Sequence, residues 1–176
     1  RSELLSHFAV HVSPIYYLML PLYSLAPHPA TLQVLQAMVM ASAVIPLWKL
    51  AGRYGLNDGL RTALCAVLLL YPAFGCGASY DLHENCFLTP LLLWLLYGIT
   101  IGSPSVTAVS ALLTLMVKED AAVYVAVVAL WLLVRTLLRW KKPDWQNLIT
   151  AIALLGTSLV WFYLTTTHLA TNGDGV

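Results

Sequence analysis

Apolar residues in this chain come in long blocks, separated by short polar or glycine-rich gaps. A membrane-spanning helix needs about 20 mostly apolar residues, within a range of about 17–25. The blocks Ala30 to Gly52, Leu60 to Ala78, Asn85 to Ile101, Ala121 to Leu138 and Trp145 to Thr166 come near that length. A shorter block, Pro104 to Val117, lies among them. Gly and Pro punctuate the gaps at Gly55, Asn57-Asp58-Gly59, Gly75, Gly77, Gly102-Ser103-Pro104 and Pro143. An outer-membrane barrel would instead show short segments of alternating polarity. The pattern predicts an all-α, polytopic integral membrane protein. Residues 1–176 form a single transmembrane domain of about six helices, with no internal repeat.

Residues 1–29 need a separate reading. Ser13 to Leu25 is apolar but too short to span, and Pro14 and Pro21 interrupt it. An interfacial or re-entrant segment fits, with Tyr16, Tyr17 and Tyr23 at the headgroup level. The chain opens on Arg1 and stops in the polar tail Asn172-Gly173-Asp174-Gly175-Val176, which reads as an internal piece of a longer protein.

Composition agrees with the blocks. Of 176 residues, 60% are apolar and 10% charged, whereas a soluble domain carries about 25% charged residues. Mean hydropathy is +0.78. These values exclude a disordered chain, a nucleic-acid binder with a basic face and an ordinary soluble enzyme.

The net charge of +1 says little, but its distribution sets an expected orientation. Lys and Arg concentrate in cytoplasmic loops. Lys49, Arg53 and Arg61 lie at or just after the end of the first block, and Arg135, Arg139, Lys141 and Lys142 at or just after the end of the block Ala121 to Leu138. On an alternating path both groups lie on one side, predicted to be cytoplasmic. The outer face then collects Glu3, Asp81, Glu84, Glu119, Asp120 and Asp174, and with them His7, His11, His28, His83 and His168.

Two polar turns concentrate this chemistry. Tyr80-Asp81-Leu82-His83-Glu84-Asn85 holds two carboxylates and an imidazole. Asp81 and Glu84 are three apart, so a helical turn would place them on one face, where they could hold a divalent cation or supply a general base. A hydrated loop with Asp81 as helix N-cap is the plainer reading. The second turn is Lys118-Glu119-Asp120. The block before it is too short to reach the outer surface, so its three charges lie inside the membrane and require water or partners. Adjacent helical residues do not face each other, so the Lys118 partner is expected elsewhere, in Asp81, Glu84 or a lipid phosphate. His7 and His11 share the i, i+4 spacing of a metal-binding pair, but Phe8 breaks the HExxH pattern. A substrate or phosphate contact suits them better. Cys76 and Cys86 flank the first turn and read as free thiols rather than a pair, and Cys65 as inert.

Several segments resemble a known family. His11-Val12-Ser13-Pro14-Ile15 is similar to its HFSPI motif, with Val12 in place of Phe. Asp81-Leu82-His83 is similar to its DFH motif, and Lys118-Glu119-Asp120 reproduces its KED motif. His7-Phe8, Pro21-Leu22-Tyr23 and Leu35-Gln36-Ala37 add to the likeness, which runs from about His7 to Trp140. The chain thus resembles domain-of-unknown-function family 2079, bacterial predicted membrane proteins of several hundred residues. That family in turn resembles the C-type membrane glycosyltransferases, which use a polyprenyl-phosphate-linked sugar at the outer face of the membrane, often with a divalent cation.

What the resemblance implies is a fragment of a C-type glycosyltransferase-like fold in the bacterial plasma membrane, its acidic and His loops outside. A carboxylate among Asp81, Glu84, Glu119 and Asp120 would activate the acceptor hydroxyl. Lys118, with His7, His11 or His83, would bind the lipid-linked donor and neutralise its leaving phosphate. Mg²⁺ or Mn²⁺, on Asp81 and Glu84 if anywhere, could share that task. The rival expectation is a transporter or lipid-carrier flippase, with the same acids and His83 as an ion or headgroup site. A purely structural module is the third reading.

Overall fold

The computed structural model of the chain describes residues 11–79, 81–138 and 144–172. Among these, every regular element is helical. A 3₁₀ turn at Pro14–Leu18 leads into α1 (Leu20–Leu25), followed by α2 (Pro29–Ala41) and α3 (Val44–Arg53). Then come α4 (Asp58–Leu70), α5 (Pro72–Ser79), a 3₁₀ turn at Glu84–Phe87 and α6 (Leu88–Ile101). The remaining helices are α7 (Pro104–Leu115), α8 (Ala121–Leu138) and α9 (Trp145–Asn172).

Among the described residues, four stretches are long and apolar enough to cross a membrane: Pro29–Arg53, Glu84–Ile101, Ala121–Leu138 and Trp145–Leu169. Two of the expected six blocks are not among these four, for two local reasons. The block Leu60 to Ala78 is broken where Pro72 follows Tyr71. A residue before proline is pushed out of the helical region, and Tyr71 sits at φ −63°, ψ 121°. The Pro104 block yields a helix of 12 residues, about 18 Å long. A milder interruption at Ser42-Ala43 separates α2 from α3. Pro46 cannot donate to the carbonyl of Ser42, four residues back, and its ring crowds that carbonyl.

Caps mark several boundaries. The His28 ring accepts from Ala30 N–H at 3.1 Å, Asn57 Oδ1 from Leu60 N–H at 2.9 Å, and Asp144 Oδ1 from Asn147 N–H at 3.1 Å. Gly102 ends α6 in the left-handed region at φ 67°. Just before it, a Cβ on Gly98 would lie 2.8 Å from both Thr107 N and Oγ1, so only glycine fits there.

Backbone proximity sorts the chain into two compact units, Tyr16–Ala111 and Arg1–Ile15 with Leu112–Val176. In the first, α3 packs on α4 and α6, and α2 on α5 and α6. Lys49 of α3 lies over the Trp94 and Tyr97 rings of α6, at 5.3 and 5.4 Å.

In the second unit α8 packs along α9. The buried stripe of α8 is Ala121, Ala122, Val125, Ala129, Leu132 and Thr136, that of α9 Ala151, Leu154, Ser158 and Thr165. Small residues let two helices approach closely, as membrane interfaces require. The other faces expose Val127, Trp131, Val134, Ile152, Leu159 and Phe162. Helices apolar all round suit a lipid surrounding.

Candidate functional site

The two polar turns fall in different units, and each has its own geometry. In the unit Tyr16–Ala111, α5 ends at Ser79 and the chain bends at Asp81 before the 3₁₀ turn Glu84–Phe87. Asp81 is exposed and His83 half-exposed, whereas Glu84 is 4% exposed. Asp81 therefore lies outside the helix and does not share a face with Glu84 as their spacing suggested. Nor does it cap the helix start, where His83 stands without a side-chain cap bond.

The buried Glu84 carboxylate accepts a 2.7 Å hydrogen bond from the Tyr16 hydroxyl, and His83 Nδ1 lies 3.6 Å from the same oxygen. Burial, and then the bond to Glu84, push the Tyr16 phenol well above its usual range. The partner that secures Glu84 is thus a tyrosine of the short segment near the N-terminus, 68 residues away in sequence.

A second neutral residue organises this turn. Gln36 of α2 is fully buried. Its Oε1 accepts from His83 N–H at 2.7 Å, and its Nε2 donates to Gly77 O at 2.9 Å and Asp81 O at 3.5 Å. Beside it opens a largely apolar cavity of about 690 Å³, with Met40, Tyr71, Phe74, Gly77, His83 and Cys86 in its wall. Cys65, Cys76 and Cys86 are all free thiols, as expected.

In the other unit, Lys118-Glu119-Asp120 forms the turn between α7 and α8. His11 Nδ1 and Glu119 Oε1 are 2.9 Å apart, and Val12 N–H donates to Glu119 Oε2 at 2.9 Å. Ile15 N–H donates to Met116 O at 2.8 Å, so the N-terminal strip is tied to this turn at two levels. Burial acts to raise the Glu119 carboxyl. The bonds from His11 and Val12 outweigh it and hold the group below the usual carboxylate range. Asp120 is exposed and Lys118 half-buried. His7 lies outside the described residues.

The two turns thus share a division of labour. Each has one carboxylate anchored by hydrogen bonds, Glu84 or Glu119, one exposed carboxylate, Asp81 or Asp120, and a histidine beside the anchored one. Among the described residues no group of three or more His, Cys, Asp or Glu is placed to hold a metal. With Glu84 turned to Tyr16 and Asp81 exposed, the pair does not form a metal-ligand set, and no step is assigned to Mg²⁺ or Mn²⁺.

Sequence reading missed Tyr16 and Gln36 as site residues. Both are neutral: Tyr16 reads as a headgroup-level aromatic and Gln36 only as part of a family likeness, although a glutamine inside an apolar span, where an unpaired amide is costly, is a further signal.

No curated protein and no solved structure matches the chain. The segments that build these two turns, His11 to Ile15 with Lys118 to Asp120 in one unit and Asp81 to His83 in the other, are among those that carry the family likeness. The family model described as "Predicted membrane protein (DUF2079)" matches residues 1–172, and the chain belongs to that family.

Proposed function

We propose that this chain is part of a glycosyltransferase-like membrane enzyme, which moves a sugar from a polyprenyl-phosphate donor to an acceptor hydroxyl at the outer face of the plasma membrane. The observation that carries this reading is the repeated pairing of an anchored carboxylate and a histidine with an exposed carboxylate. Inverting transfer needs a base that takes the acceptor proton and a donor or cation for the oxygen that leaves. The exposed Asp81 and Asp120 suit the first task. The half-buried Lys118, and His11 and His83 beside their anchored carboxylates, suit the second.

In the proposed step the acceptor hydroxyl loses its proton to an aspartate as its oxygen attacks the anomeric carbon. The bond from that carbon to the phosphate oxygen breaks, and its electron pair leaves with the phosphate. Glu119 serves in this reading to hold His11, both its oxygens being engaged, and Glu84, bonded by Tyr16, places a negative charge beside His83.

The test uses the full-length protein in lipid nanodiscs with a radiolabelled polyprenyl-phosphate sugar. Asp81→Asn and Asp120→Asn should each lower transfer at least about 100-fold, the scale of a lost general base, with folding unchanged. Donor consumption that survives both substitutions defeats the reading. Ion or lipid movement without sugar transfer would establish the carrier alternative in its place.

A further inference from the structure

We propose that Gln36 is a positioning residue, whose side-chain amide sets the geometry of the Asp81–Glu84 turn. The inference rests on the reading of that turn as the reactive element, and its test is separate from that reading.

The argument begins with backbone bookkeeping. The last carbonyls of a helix have no partner within it, and Gly77 O is one of these in α5. Asp81 to His83 are non-helical, and the extended backbone of His83 (φ −135°, ψ 122°) precedes the next 3₁₀ turn. Its N–H points to no carbonyl within a helix. Both groups meet a fully buried side chain in partly buried bonds, where an unmet amide is costly. A single primary amide has the matching valences, one oxygen to accept and one NH₂ to donate. Gln36 applies them to His83 N–H and Gly77 O, and reaches Asp81 O with the same nitrogen.

Packing places it there. Gln36 and Met40 are one helical turn apart on α2 and share a face, and both are buried. Gly77 carries no side chain toward that face: a Cβ on it would lie 3.4 Å from Met40 Cε. The α5 backbone can therefore come close enough for its carbonyl to meet the Gln36 amide. Charge plays no part in this clamp. It fixes both ends of the segment that carries Asp81 and His83 and leaves their side chains for chemistry.

Hydrogen–deuterium exchange of the full-length protein in nanodiscs, read on peptides covering 77–87, tests the clamp. Gln36→Leu keeps the volume and removes both valences, so the His83 amide should exchange about tenfold faster or more, the equivalent of about 1.4 kcal/mol. The amides of α8 and α9 should exchange at the wild-type rate. Gln36→Glu is the conservative rescue: buried, its carboxyl stays protonated, accepts from His83 N–H and donates to Gly77 O, restoring protection. Unchanged exchange in Gln36→Leu overturns the proposal. So does an equal rise in α8 and α9, or a Gln36→Glu variant as fast as Gln36→Leu. None of these readouts needs sugar transfer, so a failed transfer assay leaves the clamp standing, and a failed clamp leaves the transfer reading standing.

Discussion

His11 Nδ1 lies 2.9 Å from Glu119 Oε1, across 108 residues of sequence. Glu119 Oε2 takes the neighbouring Val12 N–H. Two separate family motifs are therefore one physical object, a carboxylate that folds the N-terminal strip onto the α7–α8 turn. A residue used in this way is held by its bonds, and the properties of the corner should follow its protonation.

Stability should thus depend on pH through Glu119. Its folded-state carboxyl titrates below the unfolded value, so the stabilisation is present above the ordinary glutamate pKa of about 4.3 and is lost as pH falls through the depressed folded value. Between about pH 5 and about pH 3, the Tm of the wild type should fall more steeply than that of Glu119→Gln. At neutral pH that variant should be less stable by about 1–3 kcal/mol. Parallel Tm profiles would remove Glu119 as the source of the linkage.

The Tyr16 phenol should ionise well above the usual tyrosine range. Its raised folded pKa means that its contribution is complete below the unfolded value of about 10 and disappears as pH rises through the folded one. Ultraviolet titration of the wild type should show a late phenolate component that Tyr16→Phe lacks. The same variant removes the Tyr16 hydrogen bond to the buried Glu84 and should cost about 1–3 kcal/mol. An unchanged titration curve would show that the Tyr16–Glu84 bond does not persist in solution.

Two glycines should respond in opposite ways to the same substitution. At Gly98 a Cβ would stand 2.8 Å from the Thr107 backbone nitrogen, so Gly98→Ala should destabilise by about 1–3 kcal/mol. Gly156 lies inside α9 with nothing within 4 Å of its Cβ position, and Gly156→Ala should stabilise by up to about 1 kcal/mol. Melting curves of the two variants decide the matter, and equal shifts would contradict the close approach at Gly98.

The broken pair α4 and α5, of 13 and 8 residues, can be tested as a crossing. In a background with Cys65, Cys76 and Cys86 replaced by Ser, single cysteines at Asn57 and Asp81 should label from opposite sides. A membrane-impermeant maleimide on intact cells should reach position 81, and position 57 only after permeabilisation. Labelling of both from one side would make α4–α5 re-entrant and remove the orientation on which the outer site depends.

What the sequence disclosed and what it hid divide along physical lines. The span Ala121–Leu138 is observed with the expected ends, because an apolar run bounded by charged turns is local information. The Leu60 to Ala78 block was read through Pro72, although the residue before a proline resists helix, and the structure breaks there. In the site, charged residues were legible because ionisable groups are rare in such a chain. Their anchors were not. Tyr16 is 68 residues from Glu84, and Gln36 is 47 from His83, and neither carries a charge to betray it. Spacing along one helix could not find them, since each bond joins different elements.

The double attachment of one amide to Gly77 and His83 also counts residues. The chain between those two positions must leave the Gln36 side chain and return to it, so its length is metered from both ends. Insertions or deletions between 77 and 83 would leave one partner unmet. Homologues that vary the length of that segment should therefore also vary the residue at position 36, and homologues that keep glutamine there should keep the count.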